Sequence, residues 1–214
     1  MKDIKNLFRW ALPVTQRASS MLRCRKHFGK SPAGSNYPFV EPFSKFSYTS
    51  RIIVGYNVSF LQGAIVLADK IGLIEIGDNS TICRYSVVQS VGGNILIGRN
   101  SVIGDLCSVY GQGGLKIGEH VMISSGVRIV PNQHTFDDLN QPIAVQPCRS
   151  YGIIIKDDVW VGTNATILDG ITVGTGAVIG AGSIVTNDVP DFAVVAGVPA
   201  RILRYRTDSV HLKA

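Results

Sequence analysis

Residues 155–185 read IKDDVW VGTNAT ILDGIT VGTGAV IGAGSI V, with an aliphatic residue at every sixth position. The same spacing occurs upstream in groups of three hexads, and a small or β-branched residue usually lies four positions after each aliphatic one. A fixed period of this kind indicates a repeat architecture before any propensity is considered. The spacing does not fit an α-helix, because residues six apart drift around its 3.6-residue turn.

Three hexads form one repeating unit, and each strand is too short to hold a hydrophobic face alone. We therefore predict an all-β fold, a parallel β-helix solenoid of about six triangular coils with aliphatic residues stacked inside. The expected boundaries are 1–50 for a basic N-terminal extension and lead-in, 51–190 for the solenoid, and 191–214 for a C-terminal cap and tail. A short helix is one option for residues 202–214. The six units begin at Val54, Ile76, Ile97, Ile117, Ile155 and Val173.

Composition narrows the class of protein. The 214 residues are 45% hydrophobic and include 23 glycines, as in a soluble, turn-rich globular chain. The four cysteines form no CxxC pair, so neither a zinc knuckle nor a disulfide framework is indicated, and a reducing compartment is expected. Of the net charge of +6, residues 1–30 carry +7, from eight Lys or Arg and one Asp, which leaves −1 for the rest. Nucleic-acid binding is therefore not expected of the repeats.

The N-terminal extension leaves two placements open. Apolar residues at helical spacing predict a short amphipathic helix over residues 3–12, with basic flanks. Residues 1–30 then either contact an anionic membrane surface or pack on the repeat domain or a neighbouring subunit. With no apolar run of membrane-spanning length and no secretory leader, we expect a cytoplasmic location, and at a membrane its inner face.

The hexads stop after His134 and resume at Ile155. The loop over residues 135–154 adds about 20 residues, and a loop longer than about 12 to 15 residues is usually functional or disordered. We interpret it as an arm that reaches over a site or a neighbouring subunit. The remaining histidines lie in the basic extension, in a hexad turn and in the tail: His27, His120 and His211.

Residues 54–206 resemble the hexapeptide-repeat acyltransferases of the left-handed β-helix class. The run HTFDD at 134–138 with QPI at 141–143 is similar to the branch that O-acetylates sugars of bacterial surface polysaccharides. The strings DVWVG at 158–162, GAGS at 180–183 and AGVPAR at 196–201 are similar to the galactoside, maltose, xenobiotic and colanic-acid-type acetyltransferases. The resemblance implies left-handed coils, a homotrimer, acetyl-CoA held between subunits, a sugar acceptor and no metal.

The resemblance places the catalytic position at His134. A sugar hydroxyl is almost wholly un-ionised at neutral pH, so its attack on a thioester needs a base, and histidine has an ordinary pKa of about 6.5. Asp137 or Asp138 would orient the imidazole or bind acceptor hydroxyls, or would simply be solvated. Asn132 is a further candidate for acceptor contact, although such turn residues are common in solenoids. Trp160 should project outward and, by resemblance, border the thioester and acceptor pocket.

The resemblance also gives a coenzyme A set. Small residues would accept the pantetheine arm and cations would meet phosphates. Asn187 departs from the family, whose members often carry Lys there, so the arginines of the C-terminal cap would supply more of the charge. The alternative is that these arginines only solvate the cap. The matched residues are Trp160, Thr163, Ala181, Thr186, Asn187, Arg201 and Arg204.

Three other functions stay open at this point. The same base could serve an amine, which gives an N-acetyltransferase of an amino sugar. A zinc enzyme like the carbonic anhydrases that share this solenoid would need three converging imidazoles. The repeats hold only His120 and His134, 14 positions apart. A solenoid that only binds a sugar or scaffolds an assembly is the third.

Overall fold

The fold is a three-sided prism of parallel strands, seen in a computed structural model that describes residues 38–208. The helix expected over residues 3–12, the membrane contact of residues 1–30, His27 and His211 lie outside the described residues. No helix within 38–208 is long and apolar enough to cross a bilayer. Each turn of the chain adds one strand to each of three sheets, here called faces A, B and C.

Face A contains nine strands, parallel except for the final pair. They are β1 (Phe39–Val40), β4 (Ser59–Phe60), β7 (Thr81–Ile82), β10 (Val102–Ile103), β13 (Met122–Ile123), β18 (Trp160–Val161), β21 (Val178–Ile179), β23 (Ala193–Gly197) and β24 (Ala200–Tyr205).

Faces B and C contain seven and six parallel strands. Face B comprises β2 (Lys45–Ser47), β5 (Ile65–Leu67), β8 (Val87–Gln89), β11 (Ser108–Tyr110), β14 (Arg128–Val130), β19 (Thr166–Leu168) and β22 (Ile184–Val185). Face C comprises β3 (Ile52–Val54), β6 (Ile74–Ile76), β9 (Ile95–Ile97), β12 (Leu115–Ile117), β17 (Ile153–Ile155) and β20 (Thr172–Val173). Outside the faces lie the pair β15 (Gln133–His134) and β16 (Cys148–Arg149), and two 3-10 helices, Thr49–Arg51 and Ile143–Val145.

The core confirms the role assigned to the hexads. The repeating aliphatic side chains point into the prism and stack in register, as Ile117 pairs with Ile155 and Ile155 with Val173. All three are at most 1% exposed. Burying an aliphatic side chain of this size stabilises the fold by about 1.5–3 kcal/mol, so the column of anchors is the main reason that the turns stack.

Small residues near the corners tie successive turns together. The Ser80 hydroxyl donates to the Gly98 carbonyl at 2.9 Å, and the Ser101 hydroxyl donates to the Gly118 carbonyl at 2.9 Å. Both serines are buried. Because a buried hydroxyl needs a partner, these bonds explain why serine can occupy an interior position of the hexad.

The structure has about seven turns, one more than the six repeat units predict. Residues 39–47, which we expected to be an irregular lead-in, form β1 and β2 and pair with β4 and β5. Val40 and Phe46 are themselves six positions apart and align with Phe60 and Val66. The boundary expected at residue 51 is therefore too late, because the prolines and the polar turn around this hexad hide its period.

The C-terminal cap also differs from the expectation. Residues 200–205 form a strand, not the start of a short helix, and β24 pairs antiparallel with β23. This pairing gives β23 a partner for the N–H and C=O groups of its outer edge, and β24 becomes the end strand of face A.

Candidate functional site

The arm leaves the prism at the corner between faces B and C. It lies between the end of β14 at Val130 and the start of β17 at Ile153. Its base is a short antiparallel ladder in which His134 pairs with Cys148 and Gln133 with Arg149. The N–H and the hydroxyl of Thr135 both donate to the Pro147 carbonyl, at 2.9 and 2.8 Å. The base of the arm thus fixes the backbone that carries His134.

The tip of the arm is held by the buried Gln146. Its Nε2 donates to the carbonyls of Asp138 and Gln141 at 2.8 and 3.0 Å, and its Oε1 accepts from the Asp138 N–H at 3.2 Å. The Asp138 carboxylate accepts from the Asn140 N–H and from Gln141 Nε2, both at 2.9 Å. Asp138 therefore has its partners within the arm and does not orient the imidazole in this structure.

The His134 imidazole is exposed and lies against a thiol. Cys148 Sγ is 3.5 Å from Nδ1 and 3.6 Å from Nε2. Within residues 38–208 neither Asp137 nor Asp138 makes a hydrogen bond to this ring. Asp137 Oδ2 instead lies 3.9 Å from an Arg149 guanidinium nitrogen, with both side chains exposed. Among the described residues the neighbour that touches the ring is thus a cysteine, and the alternative in which Asp137 or Asp138 orients the imidazole is not the one seen in this structure.

A small cleft of about 140 Å³ opens beside the imidazole. Phe136, Arg149 and Tyr151, which the sequence did not single out, line it together with His134 and Asp137. No pattern in the sequence indicates that residues 133–134 pair with residues 148–149, because two-residue strands so far apart leave no periodic trace. Asn132 is half-buried just before the ladder. The full lining is Gln133, His134, Thr135, Phe136, Asp137, Arg149 and Tyr151.

Trp160 lies on the outer surface of face A, as predicted from its hexad position. It is 50% exposed and pairs with Met122 and Val178 in the neighbouring strands. Its Nε1 donates to the Ser124 hydroxyl at 3.1 Å. The indole is therefore fixed at one edge while much of its ring surface is open for contact.

Thr163 and Ala181 occupy matching positions of successive turns at the corner between faces A and B. The Thr163 carbonyl accepts the Gly182 N–H at 2.8 Å, and both side chains are exposed. A Cβ on Gly162 would lie 2.6 Å from the Ala181 nitrogen, so glycine is required for the two turns to approach this closely. The corner offers small side chains along its edge, as a pantetheine arm would need.

The other residues of the coenzyme A set lie elsewhere. Thr186 and Asn187 follow β22, on the corner between faces B and C, with 3.3 Å between Thr186 Oγ1 and Asn187 Oδ1. Arg201 and Arg204 are exposed on β24, and each guanidinium donates to a nearby carbonyl, of Ala200 and Tyr205. Neither forms an ion pair within residues 38–208, so both cations remain available to an anion.

The candidate residues therefore fall into separate groups on one chain. His134, Asp137 and Asn187 lie at the corner between faces B and C, whereas Thr163 and Ala181 lie at the other end of face B. Residues 38–208 contain no group of three or more His, Cys, Asp or Glu side chains that could hold a metal ion.

Comparison with known proteins shows that this chain is similar to transferases. Residues 152–187 match the family model described as bacterial transferase hexapeptide (six repeats). Galactoside O-acetyltransferase of Escherichia coli K12 is 35% identical over 62% of this chain and 64% of its own length. A probable acetyltransferase of Mycobacterium tuberculosis is 29% identical over 62% of this chain and 42% of its own length. The matches thus span less than two thirds of these relatives.

A solved structure gives the same fold. The crystal structure of AntD, an N-acyltransferase from Bacillus cereus in complex with dTDP and 3-hydroxybutyryl-CoA, superposes with a TM-score of 0.55. It covers 79% of this chain and 80% of its own, at 20% identity. The hexads and the three parallel faces agree with these likenesses, since residues 152–187 match a hexapeptide-repeat family model and the solved structure shares the solenoid fold. The resemblance stated from the sequence is confirmed at this level.

Proposed function

We propose that the protein transfers an acetyl group from acetyl-CoA to a hydroxyl of a sugar acceptor, in the assembly of a bacterial surface polysaccharide. The observation that carries the proposal is the placement of His134, exposed in a cleft on an arm that interrupts the repeats. The similarity to a galactoside O-acetyltransferase supports the reaction class. A cytoplasmic location is part of the proposal, since Cys83, Cys107 and Cys148 are all free thiols.

The main role of His134 in this reaction is that of a general base. The acceptor oxygen attacks the thioester carbonyl carbon while His134 takes the hydroxyl proton. The C–O bond forms, the C–S bond breaks, and the CoA thiolate leaves and takes up the proton. General base catalysis of this kind contributes about 100- to 10,000-fold to a rate. Exposure of the imidazole in the cleft allows an acceptor hydroxyl to reach it.

We further propose that two copies of the chain complete one site. Face B, whose three-residue strands alone span about 10 Å, lies with its two corners between His134 and the pair Thr163 and Ala181. A thioester lying along the edge formed by Thr163 and Ala181 of one copy would meet the imidazole of the next copy. A closed homotrimer supplies three such junctions related by symmetry. Trp160, exposed on face A, would then border the same junction.

Arg201 and Arg204 would bind the phosphates of coenzyme A. Arg201 and Arg204 are exposed and form no ion pair within residues 38–208, and guanidinium groups bind phosphate through two parallel hydrogen bonds. Asn187 carries no charge, so we assign the electrostatic part of phosphate binding to the two arginines.

The experiment measures release of CoA from acetyl-CoA with a panel of sugar acceptors, by chromatography. His134→Asn should lower kcat by about 100-fold or more, because the base is lost. The matched control is His120→Asn, since His120 lies in a turn with φ of 57° where earlier turns carry Asn79 and Asn100 at 58° and 57°. Undiminished turnover in His134→Asn would overturn the assignment. Turnover confined to amino sugars would replace O-acetylation by N-acetylation.

A further inference from the structure

A second and larger concavity lies on face C beside the root of the arm. Its volume is about 410 Å³, against about 140 Å³ for the cleft at His134. Pockets for small molecules usually measure about 300–1,000 Å³, so the volume of this groove lies in the range of ligand sites. We call it the face C groove. The side chains used below are Asn94, Leu96, Lys116, Tyr151 and Ile154.

Glycine backbone lines part of the groove. Gly113, Gly114, Gly152 and Gly170 all line it, with φ values of 69°, 97°, 86° and 78°. These left-handed conformations favour glycine. A Cβ on Gly114 would meet nothing within 4 Å, whereas a Cβ on Gly113 or Gly152 would meet the backbone of the neighbouring turn. A ligand can therefore approach the backbone directly at Gly114.

The walls combine apolar and polar groups. Leu96 and Ile154 project outward from β9 and β17 and are 37% and 46% exposed, with Lys116 of β12 in register between them. Asn94 Oδ1 accepts the Leu73 N–H at 2.9 Å, and its amide NH2 has no partner within residues 38–208. The groove thus offers two aliphatic surfaces, one cation and one free amide donor.

Tyr151 joins the groove to the cleft at His134, because it lines both. Its backbone N–H donates to both carboxylate oxygens of Asp169, at 2.9 and 3.0 Å, and its side chain is exposed. The backbone is therefore fixed while the ring faces solvent at the boundary of the two cavities. A ligand longer than one ring could occupy both at once.

We infer that the acceptor is an oligomeric glycan whose reacting sugar lies in the cleft at His134 and whose neighbouring sugars lie in the face C groove. This inference rests on the proposed function. Sugar rings present C–H faces that pack on aromatic and aliphatic side chains, here Tyr151, Leu96 and Ile154. Their hydroxyl rims would accept hydrogen bonds from Asn94 and Lys116. The open backbone at Gly114 leaves room for a ring.

The test compares methyl glycosides with the β-linked tetrasaccharides of glucose, galactose, mannose and N-acetylglucosamine as acceptors. For at least one sugar, kcat/KM should be about tenfold higher for the tetrasaccharide, which corresponds to one well-made ring contact. Tyr151→Ala and Lys116→Ala should lower the ratio of the two kcat/KM values. The matched control is Glu75→Ala, on β6 of the same face and in register with Leu96 but outside the groove, and it should leave the ratio unchanged.

Equal kcat/KM for short and long acceptors, or a ratio unmoved in both groove variants, would overturn the inference. So would a change of oligomeric state in Tyr151→Ala by light scattering, which would make the groove an interface between copies. If no acceptor supports CoA release, the proposed function fails. Calorimetric titration of the four tetrasaccharides into the native protein then tests the face C groove independently of catalysis. Absence of binding by all four would contradict a glycan site in the groove.

Discussion

His134 and Cys148 form an exposed pair in a chain whose other described thiols are shielded. Burial raises the pKa of Cys83 to about 12, and the Asp105 charge adds to the effect. Burial also raises the pKa of Cys107. Since the thiolate is the reactive form, these two cysteines should be inert near neutral pH. Cys148 is exposed and lies within 3.6 Å of both nitrogens of the proposed base.

We predict that N-ethylmaleimide modifies Cys148 before Cys83 or Cys107, and that turnover falls in step with this modification. An adduct on Cys148 would cover the imidazole that the acceptor hydroxyl must reach. Peptide mapping by mass spectrometry would locate the adduct, and CoA release would report activity. Cys148→Ser should retain most activity and resist the reagent. Full turnover in protein fully modified at Cys148 would show that the cleft beside His134 is not the acceptor site.

For individual residues, the sequence predicted the direction of those side chains that follow the six-residue period. Trp160 projects outward because its hexad position alternates with the buried Val161. The partner of His134 could not be predicted in this way. Asp138 is turned into the arm by Gln146 and Gln141, and the position next to the ring is filled by Cys148, which returns along the other side of the arm.

Among the elements, the arm is stabilised by itself more than by the prism. The three hydrogen bonds of the Gln146 amide all stay within the arm, and Gln146 is the one buried residue between Asn132 and Gly152. The exposed side chains of Leu139, Ile143 and Val145 lie on its outer surface. A unit of this kind should open locally without unfolding the repeats.

We expect Gln146→Ala to accelerate proteolysis of the arm several-fold and to lower kcat/KM for the acceptor. Each lost hydrogen bond of a buried amide removes about 1 kcal/mol from the stability of the closed arm. Limited chymotrypsin digestion followed by mass spectrometry would show cleavage after Phe136, Leu139 or Tyr151. Gln141→Ala is the matched control, since that exposed side chain donates one bond, to Asp138. Scanning calorimetry should find the main unfolding transition nearly unshifted, and a large downward shift would contradict a separately stabilised arm.

Apart from β1 and β2, the strands of the prism were predictable because one period sets them all. A buried aliphatic residue every six positions fixes the face, the register and the corner of each strand at once. Strands outside that period were missed for the same reason. β15 and β16 pair through the geometry of the arm, and β24 pairs with β23 because an edge needs a partner.

For the whole molecule, the central question is where the two halves of the site meet. One chain carries the imidazole on the corner between faces B and C, and carries Thr163 and Ala181 on the corner between faces A and B. The sequence could predict both sets by resemblance. It could not predict where His134 lies relative to the other set, because the arm that carries His134 does not follow the six-residue period. We propose that assembly of copies brings the sets together.

Subunit complementation tests this claim most directly. His134→Asn removes the proposed base, and Ala181→Trp blocks the proposed thioester edge at an exposed position where a large ring can be accommodated. Each variant alone should be inactive. The two variants are coexpressed with different tags, and trimers that contain both kinds of subunit are purified through both tags. These hybrids should recover about one third of native turnover, because one junction of three in a mixed trimer is intact. Hybrids as inactive as their parents would contradict a catalytic site shared between two copies. An active Ala181→Trp homo-oligomer would contradict the placement of the thioester along this edge.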